Sequence, residues 1–133
     1  MDIRTLNIWA ILSATLSAFV LGGLWYSVLF RKAWMRANGY NESDAPKGNG
    51  KTFAIAFVLT LVMAFNLAMF LNEPKTTTSW GAAAGFLAGF GWIAMGIGVI
   101  AVFEKKPLSY ALVNGGYMTI ALVLMGAILG AWR

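Results

Sequence analysis

The sequence contains no cysteine and no histidine, and only 11% of its 133 residues are charged. Without cysteine the chain can form neither a disulfide nor a thiolate nucleophile, and without histidine it has no imidazole base. The side chains that usually bind zinc or haem iron are missing as well, so we expect no metal and no cofactor. Soluble domains carry roughly 25% charged residues, which is more than twice the share found here.

Hydrophobic residues make up 59% of the chain, and the mean hydropathy is +0.71. A soluble chain this short could not bury so much apolar surface. Four runs contain no Lys, Arg, Asp or Glu and are long enough to cross a bilayer, which needs about 20 helical residues: 7–30, 52–71, 80–103 and 109–132. The sequence therefore predicts a single all-α transmembrane domain, an integral membrane protein with four helices surrounded by lipid.

Positive charge is distributed unevenly between the two predicted membrane faces. Residues Arg31, Lys32, Arg36, Lys47, Lys51, Lys105 and Lys106 lie on one side, and Arg4, Lys75 and Arg133 lie on the other. The positive-inside rule then places loop 31–51 in the cytoplasm and both termini outside. Within that loop, residues 31–39 predict a short interfacial helix that ends at Gly39. The net charge of +5 suits anionic lipid head groups, and we infer no nucleic-acid partner from it.

Small residues indicate where the helices approach each other, because close backbone contact drives helix association in lipid. On a straight third helix one face carries Gly81, Gly85, Gly89 and Gly96, and the opposite face carries Gly91 and Gly98. The fourth helix carries Gly115, Gly126 and Gly130 on one face. We expect the third helix to be the centre of the bundle, or to turn its second face to another subunit of a homo-oligomer. The second predicted helix, at 52–71, contains no glycine and is the best candidate for lipid exposure.

Two amides lie inside the predicted spans and need hydrogen-bond partners, because an unpaired amide in hydrocarbon is costly. Asn66 lies near the outer end of the second helix and Asn114 near the inner end of the fourth. They should therefore lie in opposite leaflets, each bonded to another helix. Trp92 falls near mid-membrane, where its indole N–H also needs a partner or a packed interior position.

A denser polar group is predicted near the inner membrane boundary. Its members are Trp25, Tyr26, Ser27, Glu104, Tyr110, Asn114 and Tyr117. Together they could line a site, open to the cytoplasm, for a small apolar or lipid-like ligand. The alternative interpretation is interfacial anchoring, with Glu104 paired to a nearby Lys or Arg.

Several segments resemble a known family. These are Gly-Leu-Trp-Tyr-Ser at 23–27, Lys-Ala-Trp-Met at 32–35, Asn-Gly-Gly-Tyr at 114–117 and Met-Gly-Ala-Ile-Leu-Gly-Ala-Trp at 125–132. They are similar to the signatures of the small bacterial membrane proteins called domain of unknown function 1761. The resemblance implies four spans, location in the bacterial inner (plasma) membrane and no established activity. It supplies no catalytic residues, and it places Trp25, Tyr26, Ser27, Trp34 and Asn114 in the family's motifs.

Three function classes remain open at this point. The first is a non-enzymatic membrane component whose inner-side residues bind a small-molecule or lipid ligand. The second is a small transporter or channel for a neutral or lipid-like solute, since no charge lies inside a span to balance a charged one. The third is an enzyme on a lipid-soluble substrate that would use Tyr26, Tyr110 or Tyr117 with Glu104, although no nucleophile–base pair is recognisable.

Overall fold

The computed structural model describes residues 2–133, and these residues form helices and connections with no β-strand. The helices are α1 (Ile8–Leu24), α2 (Arg31–Asn38), α3 (Gly50–Phe70), α4 (Thr78–Ala88), α5 (Met95–Phe103) and α6 (Leu108–Ala131), after a short 3₁₀ turn (Ile3–Thr5). Four continuous helical segments are long and apolar enough to cross a membrane: Ile8–Leu29, Gly50–Phe70, Thr78–Phe103 and Leu108–Ala131. The predicted all-α class with four such helices is confirmed.

Polar side chains cap the first turns of three of these helices. The Asn7 side chain accepts hydrogen bonds from the backbone N–H groups of the first turn of α1, at 3.0 and 3.2 Å. Asn49 caps α3 in the same way, and Thr77 caps α4. These caps satisfy donors that no helical carbonyl can reach. Gly39 ends α2 with a φ of 71°, a left-handed conformation that glycine adopts without strain.

The bundle is built around α6, which packs against α1, α3, α4 and α5 and is the most buried of the four long helices. The segment Thr78–Phe103 is the least buried of the four. The expectation that the third predicted helix is the centre of the bundle is therefore corrected. Gly50–Phe70, the helix expected to be exposed to lipid, is the next least buried. Glycines show that one face of a helix is closely approached, but they do not show how many neighbours a helix has.

The core consists of small side chains from α1 packed against larger ones from α3 and α6. Ala10, Ala14 and Ala18 lie one turn apart on α1 and are at most 1% exposed. They contact a cluster that includes Leu67 of α3 and Met125 of α6. Alanine at these positions lets the backbones approach, which is the main source of helix association in lipid. This packed core occupies the half of the bundle that contains the chain termini.

Two of the long segments contain a π-helical turn, Trp25–Leu29 after α1 and Gly89–Ala94 between α4 and α5. In the first, the Phe30 N–H donates to the Trp25 carbonyl oxygen at 2.8 Å, an i→i+5 bond. Both turns contact α6 at neighbouring residues, because Gly116 lies under Trp25 and Gly115 lies under Ala94. Single π-helical turns in α-helices occur frequently at functional sites.

The second π turn also explains a departure from the predicted packing face. Gly81, Gly85 and Gly89 lie against α6, but a Cβ atom at Gly96 would meet nothing within 4 Å. An extra residue in a helical turn rotates all later positions by about 100° relative to a straight α-helix. From the last residue of the turn onward, the buried positions are accordingly Ala94 and Ala101, and Gly96 lies on the open side.

Candidate functional site

The residues of the first π turn are hydrogen-bonded to the start of α6. The Trp25 indole N–H donates to the Val113 carbonyl oxygen at 2.9 Å, and the Tyr26 hydroxyl donates to Asn114 Oδ1 at 2.7 Å. In the opposite direction, the Tyr117 hydroxyl donates to the Ala18 carbonyl oxygen at 2.9 Å. Three side-chain hydrogen bonds therefore join the first long helix to the last.

Glycines make room for the two large rings in this contact. A Cβ atom at Gly22 would lie 3.1 Å from the Tyr117 hydroxyl oxygen, and one at Gly116 would lie 3.0 Å from the Trp25 ring. Each helix thus presents an aromatic ring to a glycine of the other. Real Cβ atoms rarely approach this closely, so a larger residue at either glycine would displace the ring above it.

The rings continue into an aromatic cluster at the same level. Tyr26 lies edge-on to Tyr117, with ring centroids 5.4 Å apart, and edge-on to Trp34 of α2 at 6.3 Å. Trp25 contacts Phe30 at 4.4 Å between centroids. Aromatic pairs in this range stabilise beyond their area burial. We call Trp25, Tyr26, Trp34, Asn114 and Tyr117 the aromatic cluster.

On one side of the aromatic cluster, an open groove of about 610 Å³ runs between α1 and α3. Phe19, Gly22, Gly23, Tyr26, Ser27, Arg31, Trp34, Pro46, Lys47, Gly48, Phe53, Ala56, Thr60 and Tyr117 line it. Its volume falls in the range of ligand pockets, about 300–1,000 Å³. We call it the α1–α3 groove. A second, almost entirely apolar groove of about 650 Å³ lies between α5 and α6 on the other side of Trp25.

The structure brings some of the predicted site residues into contact, and others form no side-chain hydrogen bond or ring contact with them. Tyr26, Asn114 and Tyr117 meet, and Ser27 lies exposed in the wall of the α1–α3 groove. Glu104 is exposed at the end of α5, and the ion pairs among residues 2–133, Arg4–Asp2 and Arg31–Glu42, do not include it. Tyr110 contacts Lys106, whose Nζ lies 5.6 Å from the ring centroid.

Tyr110 lies one helical turn before Asn114 on α6, but no side-chain hydrogen bond or ring contact joins it to the aromatic cluster. A site shared by Glu104 and Tyr110 with Asn114 therefore stays a prediction. The expectation for Trp92 is corrected, because it is 71% exposed in place of being packed inside.

Sequence reasoning missed the groove walls contributed by Phe19, Phe53 and Thr60. Phe19 contacts Phe53 edge-on, with ring centroids 6.2 Å apart. Both rings belong to runs of apolar residues, in which no periodic signal marks them as facing each other. Only the packing of α1 beside α3 reveals the wall that they form.

Replacing Tyr26 by phenylalanine should destabilise the protein by about 1 kcal/mol, because the Asn114 amide oxygen loses its donor while the ring contacts remain. Denaturant titration in detergent micelles measures this loss. Combining the change with Asn114→Leu should cost less than the sum of the two single changes. Additive losses would mean that the hydroxyl and the amide do not interact.

Comparison with known proteins agrees with the motifs that surround the aromatic cluster. The family model described as a protein of unknown function (DUF1761) matches residues 9–130. No curated protein and no solved structure matches the chain. The matched region includes all the residues of the aromatic cluster and almost all of the four long helices. The chain therefore belongs to the DUF1761 family.

Proposed function

We propose that this protein is a non-enzymatic component of the bacterial inner membrane that binds a lipid-like amphiphile in the α1–α3 groove. The observation that carries the proposal is the change of polarity along the groove. Its deeper part is lined by apolar groups such as Phe19 and Ala56, and its mouth by Arg31 and Lys47. An amphiphile with an apolar chain and an anionic head group matches both parts.

The depth of the groove supports a single acyl chain as the occupant. Thr60 lies ten residues from the start of α3, and Phe19 lies ten residues before Leu29. At about 1.5 Å per residue the groove extends roughly 15 Å into the bundle. This is half of the hydrocarbon thickness of a bilayer, about 30 Å. One leaflet of lipid therefore spans the same depth as the groove.

The hydrogen bonds around the groove favour an apolar chain over a polar solute. The hydroxyls of Tyr26 and Tyr117 already donate to Asn114 and Ala18, and the Thr60 hydroxyl donates to the Ala56 carbonyl oxygen at 2.8 Å. Few donors are left for a ligand inside the groove. Recognition of a sugar or an amino acid would require several more of them.

The cations at the mouth favour an anionic head group. Arg31 Nη2 lies 3.4 Å from Glu42 Oε2 in an exposed pair, a contact of little stability that a phosphate can replace. Lys47 is in no ion pair with residues 2–133. Both residues belong to the basic side that the positive-inside rule assigns to the cytoplasm, where anionic lipids are concentrated.

The packed core supports a binding role over transport. Ile11, Ala14 and Met125 fill the bundle beyond the groove and are at most 1% exposed. A solute that entered the α1–α3 groove would meet these side chains before it reached the other leaflet. Crossing the membrane by this route would require the core to open.

Photolabelling tests the proposal. The probes are photoactivatable analogues of phosphatidylglycerol, which is anionic, and of phosphatidylcholine, which is zwitterionic, reconstituted with the full chain. We expect the first probe to label the peptide 48–60 preferentially. Gly23→Leu should reduce this labelling about tenfold, because Gly23 opens into the groove with nothing within 4 Å of its Cβ position. The matched control Gly98→Leu fills the second groove and should leave the labelling unchanged.

The head-group preference is tested by removing the positive charges at the mouth of the α1–α3 groove. Arg31→Gln and Lys47→Gln should each reduce phosphatidylglycerol labelling by about fivefold, since one cation near an anionic lipid surface contributes about 1 kcal/mol. Labelling by phosphatidylcholine should change little. Two results would contradict a specific site in the groove. One is equal labelling of the four variants Gly23→Leu, Gly98→Leu, Arg31→Gln and Lys47→Gln, and the other is labelling spread evenly over the lipid-facing helices.

A further inference from the structure

Asn66 lies on the outward face of α3, away from the core residues of that helix. Its neighbours Leu67 and Ala68 are buried against the bundle, whereas Asn66 itself is exposed. No hydrogen bond joins its side chain to any group of residues 2–133. The amide thus faces the surroundings of the bundle with its donors and its acceptor free.

Water cannot easily satisfy this amide. Asn66 lies five residues before Leu71, where α3 ends, which is roughly 8 Å along the helix axis. The Cα–Cβ bond tilts toward the N-terminus of a helix. In α3 that direction leads away from the nearer membrane boundary and into the hydrocarbon. The short side chain is therefore directed to a depth at which lipid supplies neither donor nor acceptor.

The residues around Asn66 form a regular seam on the same face. Ile55, Leu59, Val62, Asn66 and Met69 are separated alternately by four and three residues. The first three are 50–61% exposed. A repeat of about 3.5 residues is the pattern by which two parallel helices pack in a left-handed pair. In this pattern a single asparagine at a core position determines the register and the number of helices.

We infer that two copies of this chain pair through this seam of α3, with their Asn66 amides hydrogen-bonded to each other across a two-fold axis. The positive-inside rule gives every copy the same orientation in the membrane, so the two α3 helices run parallel and their Asn66 residues lie at equal depth. An amide donates and accepts, so it is complementary to itself, as a residue on a two-fold axis must be. This inference does not depend on the α1–α3 groove.

The seam differs from the subunit contact expected from the sequence, which was the second glycine face of the third predicted helix. Cβ atoms at Gly91 and Gly98 would meet nothing within 4 Å, so that face is open as well. The glycines carry no side chain that could hydrogen-bond, and the exposed indole of Trp92 beside Gly91 only donates, so it cannot bond its own copy. Asn66 is favoured as the contact because its amide both donates and accepts.

Disulfide crosslinking tests the pairing directly, because the natural chain contains no cysteine. Val62→Cys places a thiol in the seam, and Val99→Cys places one on α5. The two valines are equally exposed, at 60% and 59%. Mild oxidation of intact membranes should convert Val62→Cys to a covalent dimer and leave Val99→Cys monomeric. Crosslinking of Val99→Cys alone would place the subunit contact elsewhere, and no crosslinking of either variant would mean that lipid covers the seam.

The role of the amide is tested by energy transfer between labelled copies in proteoliposomes at several protein-to-lipid ratios. Asn66→Leu should weaken dimerisation about three- to twentyfold, the range expected for one interhelical hydrogen-bonded contact in a membrane, and Asn66→Gln should largely retain it. Unchanged dimerisation in Asn66→Leu would overturn the inference. Phosphatidylglycerol labelling of peptide 48–60 in the natural chain tests the groove proposal separately. Where the natural chain is labelled, equal labelling of the Asn66 variants shows that their bundle is folded.

Discussion

Replacing Gly126 by alanine is expected to cost about 3 kcal/mol of stability, the upper part of the range for overpacked cores. The added Cβ would overlap the carbonyl oxygen of Gly81, and a Cβ at Gly81 would overlap the carbonyl oxygen of Gly126 in return. Both obstacles are backbone atoms, which no side-chain rotation can move away. The α4 and α6 helices would have to separate along a contact that continues at Gly85 and Gly130.

The measurement is the free energy of unfolding in mixed detergent micelles, with Gly96→Ala as the matched control. Gly96 lies in the same continuous helical segment as Gly81, and a Cβ there would meet nothing within 4 Å. This control should change stability by no more than about 0.5 kcal/mol. Similar losses in both variants would mean that helix flexibility, and not close approach of the backbones, is what glycine provides here.

The comparison of these two glycines shows what the sequence could predict about packing. The spacing of Gly81, Gly85 and Gly89 indicates one close-packed face, and the structure places α6 against it. The same arithmetic applied to Gly96 fails, because periodicity assumes an unbroken α-helix and the π turn at Gly89–Ala94 inserts a residue. The local sequence Gly-Phe-Gly-Trp-Ile-Ala contains no signal that predicts a π turn.

The candidate site also combines features that the sequence could predict with features that it could not. Four apolar runs predicted the helices, and residue counts along them placed Tyr26 and Asn114 at one level, where they are bonded. The same counts placed Glu104 at that level, but its side chain forms no ion pair among residues 2–133. Which side chains meet depends on which helices are neighbours, and that order is decided by the packing of many small contacts in the folded chain.

The glycine pair of α6 connects these observations. Gly115 and Gly116 follow each other, so they face different sides of the helix. Gly115 contacts Ala94 of one π turn, and Gly116 contacts Trp25 of the other. Trp25 lies on Gly116 and lines the second groove, while its neighbour Tyr26 lines the α1–α3 groove. Trp25 and Tyr26 therefore form part of the wall between the two grooves.

Trp25→Ala should accordingly be the most damaging change in the aromatic cluster. It removes the ring contacts with Phe30 and Tyr117 and the hydrogen bond to the Val113 carbonyl oxygen. Because Trp25 is half-buried, we expect a loss of about 2–3 kcal/mol, below that of a fully buried tryptophan. Trp25→Phe keeps most of the ring contact and should lose about 1 kcal/mol, the contribution of the hydrogen bond.

Trp92→Ala is the matched control, because Trp92 is 71% exposed and its indole N–H donates to no group of residues 2–133. Its removal should change the free energy of unfolding by about 0.5 kcal/mol or less. Trp25→Ala should also let phosphatidylglycerol label α6 residues near Gly116 from the α1–α3 groove, since the wall between the grooves is lost. Equal destabilisation by the two alanine variants would contradict the role of Trp25, because only one of the two rings is bonded across the bundle.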